Sequence, residues 1–209
     1  MLKKIFLVVL FVLSISVVNA TPLDGRKFGV EFNIPRVLTY SKNWKSMSGT
    51  FSVFNHNNKT EIAFPWLVAK YGQDDEALLT KSIDIHYRKF LDDELNGFYL
   101  SGFARLAHSD GQKYIMGTQE TYTYPNGNTS TGPARKDASE FRVGVGVGLG
   151  IRVFPEKKRM YWGAGLVVGR YFDQGNDFIN RQKDSLPGPF SDSSAIILDV
   201  ELLKFGYAF

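Results

Sequence analysis

Residues 141–153 read Phe141-Arg-Val-Gly-Val-Gly-Val-Gly-Leu-Gly-Ile-Arg-Val153. Every odd position is Phe, Val, Leu or Ile, and the even positions are Arg142, glycines at 144, 146, 148 and 150, and Arg152. A helix repeats its apolar face every three to four residues, so a strict period of two marks a β-strand. One face of that strand is large and apolar; the other is small, with an arginine near each end. The glycines do not form a dinucleotide loop, because Leu149 and Ile151 stand where a third glycine is required. Close strand packing accounts for them instead.

The same alternation recurs in seven further segments. Phe28 to Tyr40 places Phe28, Val30, Phe32, Ile34 and Leu38 on one face, with Glu31 and Asn33 opposite. Ser46 to Asn55 carries Phe51 and Val53 outward, and Glu61 to Tyr71 carries Ile62, Phe64, Trp66 and Val68. Thr80 to Phe90 sets Ile83, Ile85 and Tyr87 against Asp84, His86 and Arg88. In Gly97 to His108, Phe98, Leu100 and Leu106 oppose Tyr99, Ser101 and Arg105. Met160 to Phe172 sets Trp162, Leu166 and Val168 against glycines 163, 165 and 169. The eighth segment is Ala195 to Phe209.

That last segment breaks its own rule once. Phe209, Tyr207, Phe205 and Leu203 are apolar at odd positions, but Glu201 and Asp199 are not, and Leu202, Val200, Leu198 and Ile196 take over. One inserted residue restores a continuous apolar face, which predicts a β-bulge near Leu202-Leu203 and turns Lys204, Glu201 and Asp199 inward.

Connection lengths arrange the strands. Short turns at 55–59, 92–96 and 155–159 belong at one end together with both chain ends. The long polar stretches 109–138 and 173–194 belong at the other, with shorter connections near Lys42 and Asp74. Eight alternating segments with this loop pattern predict an all-β fold: an antiparallel, closed barrel whose outward face suits lipid. Past the first 20 residues, no segment approaches the roughly 20 apolar residues of a membrane helix.

Met1 to Ala20 has Lys3 and Lys4, an apolar run from Ile5 to Leu13 and a small-residue exit at Val18-Asn19-Ala20. This is the layout of a cleaved signal peptide, leaving residues 21–209 as one barrel domain. Without Lys3 and Lys4, 23 basic residues face 21 acidic ones, a balance that gives no argument for nucleic acid. The absence of cysteine excludes disulfide scaffolds, thiolate metal sites and cysteine catalysis.

With this signal, these eight segments and the alternating Leu203, Phe205, Tyr207 and Phe209, the chain resembles the small eight-stranded outer-membrane β-barrel proteins of Gram-negative bacteria, of the OmpA/OmpX-like type. His86-Tyr-Arg-Lys-Phe-Leu followed by Gly97-Phe-Tyr-Leu resembles a strand-turn-strand unit of bacterial barrel families. The resemblance implies a monomeric transmembrane barrel in the bacterial outer membrane, in contact with lipid and lipopolysaccharide. It implies that Leu203, Phe205, Tyr207 and Phe209 act as an assembly signal for the barrel-assembly machinery, with periplasmic chaperones escorting the chain.

The residues expected inside are Glu31, Glu61, Asp84, His86, Arg88, Arg105, Glu140, Arg142, Arg152, Asp199, Glu201 and Lys204. An eight-stranded barrel is just wide enough to be filled by side chains, so these charges must pair. The first functional reading is a non-catalytic structural or surface-interaction protein whose lumen is filled by a charge network. The alternative is a narrow pore or small-ligand transporter, for which the glycines of 141–153 leave room unless Tyr99, Phe103 or arginines fill it. The third reading is a lipid A-modifying barrel enzyme. Its candidate is His108, in the triplet His108-Ser109-Asp110, although neighbours on a strand point to opposite faces. No cofactor or metal site is expected, and Asp74-Asp75-Glu76, Asp173 and Asp177 read as solvated loop charge. Trp66, Tyr87, Trp162, Tyr171 and Tyr207 read as interfacial belt residues.

Overall fold

The computed structural model describes residues 25–38, 44–72, 77–92, 95–123, 126–155, 159–179 and 195–209. The expected signal segment, Asp74-Asp75-Glu76, and much of the 173–194 stretch lie outside these residues. Eight antiparallel strands pair in chain order and close: β1 Phe28–Asn33, β2 Trp44–Asn55, β3 Thr60–Tyr71, β4 Leu78–Phe90, β5 Gly97–Thr123, β6 Thr129–Val153, β7 Met160–Tyr171 and β8 Ile196–Ala208. Closure is completed by β8 on β1, from Gly29 opposite Ala208 to Asn33 opposite Lys204. The three short turns lie at the end where β1 starts and β8 finishes, called here the lower end.

The period of two sorts residues as a barrel wall requires. On β4, Ile83, Ile85 and Tyr87 are exposed while Asp84, His86 and Arg88 are buried. On β6, Phe141, Val143, Val145, Val147 and Leu149 are exposed, and Arg142 and Arg152 are buried. The distribution is inverted relative to a water-soluble domain, with apolar residues outside and charges inside.

The lower end of the interior is an aromatic floor. Phe54, Phe90, Leu95, Tyr99, Phe154, Tyr161 and Ala208 form one buried cluster. The glycines make room for these rings. A Cβ on Gly150 would stand 2.3 Å from the Tyr99 ring, and one on Gly206 would stand 2.1 Å from that of Tyr161. Higher up, a Cβ on Gly146 would meet Phe103 at 2.5 Å. The small face of β6 is therefore the groove into which inward aromatic side chains pack.

Three expectations about the strands need correction. The first strand does not run to Tyr40: β1 stops at Asn33, and Ile34–Leu38 form a five-residue helix, α1. Pro35 explains the change, since it has no N–H for a ladder and its fixed φ suits the first turn of a helix. The stretch 109–138 is not a loop. Strands β5 and β6 continue through it as a paired hairpin, from Ser109 opposite Glu140 to Thr123 opposite Thr129. A two-stranded ribbon in water needs no apolar alternation, so polar sequence concealed it. Tyr171 faces inward rather than joining a belt, with its ring beneath Arg142 at 4.0 Å.

The bulge lies where the β8 pattern placed it. Gly163 faces Lys204 and Gly165 faces Glu201, so two steps on β7 match three on β8. Leu203 takes up the extra residue with φ 52°, a left-handed conformation that costs a non-glycine residue about 1–2 kcal/mol. Above it Leu198, Val200 and Leu202 are exposed; below it Phe205, Tyr207 and Phe209 are exposed. Deleting Leu203 should therefore leave the register, the inward set and the fold intact, read as unchanged circular dichroism and heat-dependent gel mobility. Deleting Val200 forces Asp199 or Glu201 outward, and that variant should lose the folded band.

Candidate functional site in the barrel interior

Above the aromatic floor, inward positions of five strands converge on one cluster. Glu31 comes from β1, Glu61 from β3, Arg88 from β4, Arg152 from β6, and Glu201 and Lys204 from β8. Arg152 Nη2 lies 2.7 Å from Glu31 Oε1, and its Nη1 lies 2.7 Å from Glu61 Oε2. Arg88 Nη1 donates to Glu61 Oε1 at 2.9 Å and reaches Glu31 Oε1 at 3.4 Å. Lys204 Nζ lies 2.9 Å from Glu201 and 3.4 Å from Glu31 Oε2, while Ser52 Oγ donates to Glu61 at 2.5 Å.

Three cations meet three carboxylates, so this tier is neutral. Neutrality matters because an unpaired charge in a space this poor in water costs several kcal/mol. The floor contributes as well. The Arg152 guanidinium faces the rings of Phe54, Phe90 and Tyr161 at 5.2, 5.1 and 4.7 Å, and Arg88 lies 5.1 Å from the Tyr99 ring.

A second tier lies above. Arg105 grips Asp84 with two hydrogen bonds, Nε to Oδ1 at 2.8 Å and Nη2 to Oδ2 at 2.7 Å, and reaches Asp199 at 3.3 Å. Arg36 of α1 pairs with the other side of Asp199. His86 contacts Asp84 at 3.2 Å, and its ring stacks on Phe103 with centroids 5.0 Å apart. With Arg36 counted, two cations again meet two carboxylates.

Two of the expected interior residues lie higher. Arg142 is buried at the upper rim, donating from Nε to Asp173 at 2.8 Å. Glu140 is half-buried beside the connection after β7 and accepts the backbone N–H of Asn176. That connection is seated on the hairpin, with Ile179 donating to the Gln112 carbonyl at 2.8 Å and Phe178 buried. Glu140 and Arg142 thus tie the rim, whereas the other ten expected residues occupy the two tiers.

His108 and Asp110 are paired at 3.1 Å on the outer surface, both half-exposed. Ser109 is buried on the opposite side of β5 and contacts Thr80 at 3.1 Å. The strand pleat separates this serine from its would-be base. Among the described residues, no group of three His, Cys, Asp or Glu side chains is placed to hold a metal.

Sequence reasoning missed Arg36, because Pro35 ends the alternation from which inward positions were counted. It also missed Tyr161, whose odd position on β7, shared with the inward glycines, was the available signal. Comparison with protein-family models, with curated proteins and with solved structures gives no match.

Substituting Glu61→Gln leaves Arg88 and Arg152 sharing two carboxylates with Lys204, and should destabilise the barrel by about 3–5 kcal/mol. The double variant Glu61→Gln/Arg88→Met restores neutrality and should recover part of that loss. Urea unfolding followed by tryptophan fluorescence measures both; equal destabilisation of single and double variants would count against charge balance as the stabilising principle.

Proposed function

We propose that this chain is an outer-membrane β-barrel protein, exported by its N-terminal signal, with a non-catalytic structural or surface-interaction role. The observation that carries the reading is the interior: two neutral ion-pair tiers over an aromatic floor fill the lumen with side chains held to one another. Such an interior serves as a plug rather than as a water-filled passage.

The outer surface supports the membrane assignment. Exposed apolar residues occur on all eight strands, among them Phe32, Phe51, Ile62, Ile85, Leu100, Val147, Val168 and Val200. Soluble monomers rarely expose so continuous an apolar band. A soluble ligand-carrying barrel would place apolar residues inside, the reverse of what is found here.

The surface role falls to the β5–β6 hairpin. Measured along β6 from Ser139 to Thr129, it rises on the order of 30 Å at about 3.3 Å per residue, opposite the end where β1 starts and β8 finishes. The ladder breaks between Tyr114 and Gln119, and the side chain of Met116 in that break is 98% exposed. In the expected orientation, with termini and short turns in the periplasm, this hairpin stands outside the cell.

Planar-bilayer recording tests the plugged lumen. The wild-type protein should insert without stable single-channel steps. Steps that change with Arg142 or Arg152 substitution would replace this reading with that of a narrow pore.

A further inference from the structure

At the lower end, the turn between β2 and β3 is folded against the segment that precedes β1. His56 Nε2 lies 2.6 Å from the Arg26 carbonyl, and since a carbonyl only accepts, the ring nitrogen donates. Asn55 Oδ1 accepts the Asn58 N–H at 3.3 Å, and the Lys59 N–H returns to the His56 carbonyl at 3.2 Å. Lys89 of β4 donates to the Asn58 carbonyl. The turn fixed in this way forms one wall of a cavity of about 850 Å³, whose lining includes Lys27, Val53, Asn57, Asn58, Ile62 and Tyr87. Val53 stands opposite Ile62 and Ile62 opposite Tyr87, so these three share one face of the sheet. Ile62 and Tyr87 are exposed, which makes it the outward face.

The cavity is polar at the rim and apolar above it. Its rim offers donors: the Lys27 ammonium, the carboxamides of Asn57 and Asn58, and the Tyr87 hydroxyl. Among the described residues, no hydrogen bond or ion pair engages these four side chains; Lys27 and Asn58 bond through their backbone only. The framing segments 25–28, 54–62 and 87–90 also carry Arg26, Lys59 and Lys89. Their one carboxylate, Glu61, faces the lumen and is held there by Arg88 and Arg152. The Phe209 carbonyl accepts the backbone N–H groups of Lys27 and Phe28. A cation entering this corner would be repelled, whereas an anion rich in acceptor oxygens would match it. Beside Val53, Phe28 stacks on Phe51 with centroids 6.0 Å apart and lies 6.0 Å from the Phe209 ring, giving the apolar part an aromatic flank.

We propose that this cavity binds an anionic phospholipid from the leaflet at the lower end. Its phosphodiester accepts from Lys27, Asn57, Asn58 and Tyr87, and its acyl chain runs upward over Val53 and Ile62. A soluble phosphate would use the donors but leave the apolar row without a partner; a lipid meets both. The proposal rests on the membrane reading above, in which this leaflet faces the periplasm.

The test uses the full mature chain in phosphatidylcholine nanodiscs, with co-elution of protein and discs measured first. Phosphatidylglycerol and phosphatidylcholine probes then carry the same photoreactive diazirine in the acyl chain. Labelling of peptides from 25–28, 53–62 and 87–90 should favour the phosphatidylglycerol probe, and soluble glycerol phosphate should not compete. Lys27→Gln should lower that preference about fivefold, the effect of one cation at a lipid surface. Lys27→Arg should retain it, and Lys81→Gln in the upper part of β4 should leave it unchanged. Equal labelling by the two probes, or a preference that survives Lys27→Gln, would mean ordinary lipid contact and overturn the site alone. Competition by glycerol phosphate would overturn the lipid as its occupant. Failure of the chain to enter the discs would overturn the membrane reading and the site with it.

Discussion

An eight-stranded barrel encloses little more than the width of its own side chains, and that width governs everything placed inside it. A charge pointing inward cannot be hydrated as it would be at a surface, so each must find its opposite across the lumen. The pairs found here join strands that are distant in sequence. Arg152 reaches Glu31 at 2.7 Å across 121 residues of chain, and Arg105 reaches Asp199 at 3.3 Å across 94. The interior is thus a set of cross-braces, and the strands they connect are fixed in azimuth as well as in register.

The same narrowness explains the glycines. A barrel this small cannot hold aromatic rings from facing strands unless one wall recedes. β6 recedes at 144, 146, 148 and 150, and Phe103 and Tyr99 occupy the space. Those rings are the surface on which the guanidinium groups rest, as Arg88 does over Tyr99 at 5.1 Å. Small residues on one strand therefore allow the aromatic floor, and the floor supports the charged tiers above it.

The parts legible in the sequence were those with a period. Strict alternation on β4 and β6 gave the inward Asp84, His86, Arg88, Arg142 and Arg152, and the single slip in alternation on β8 gave the bulge at Leu203. What was not legible lacked an outward apolar stripe. The β5–β6 hairpin beyond Ser109 is mostly polar and has no period-two apolar stripe, so it read as loop although its backbone pairs as far as Thr123. Arg36 lies past Pro35, where parity no longer applies, and pairs with Asp199 through the geometry of a helix. Tyr171 has an aromatic's usual claim to a belt, but its odd position on β7, the same as glycines 163, 165 and 169, already turned it inward.

The short β1 raises a question of mechanical balance. An element with six strand residues contributes few ladder hydrogen bonds, yet it has to close the barrel against β8. Its hold comes from Glu31, buried and engaged by Arg152, Arg88 and Lys204 from β6, β4 and β8. The backbone at the last residue supports it too, since the Phe209 carbonyl accepts the N–H groups of Lys27 and Phe28 at 3.2 and 3.0 Å. The lower half of β1 is thus clamped from inside the lumen as well as from its neighbours. Among the described residues its upper continuation is α1, which is tied to β8 by the Arg36–Asp199 pair and to β2 by Ser46 Oγ donating to the Arg36 carbonyl at 3.5 Å. The wall is consequently braced most densely at the level of Glu31 and Glu61, where cations from three other strands converge.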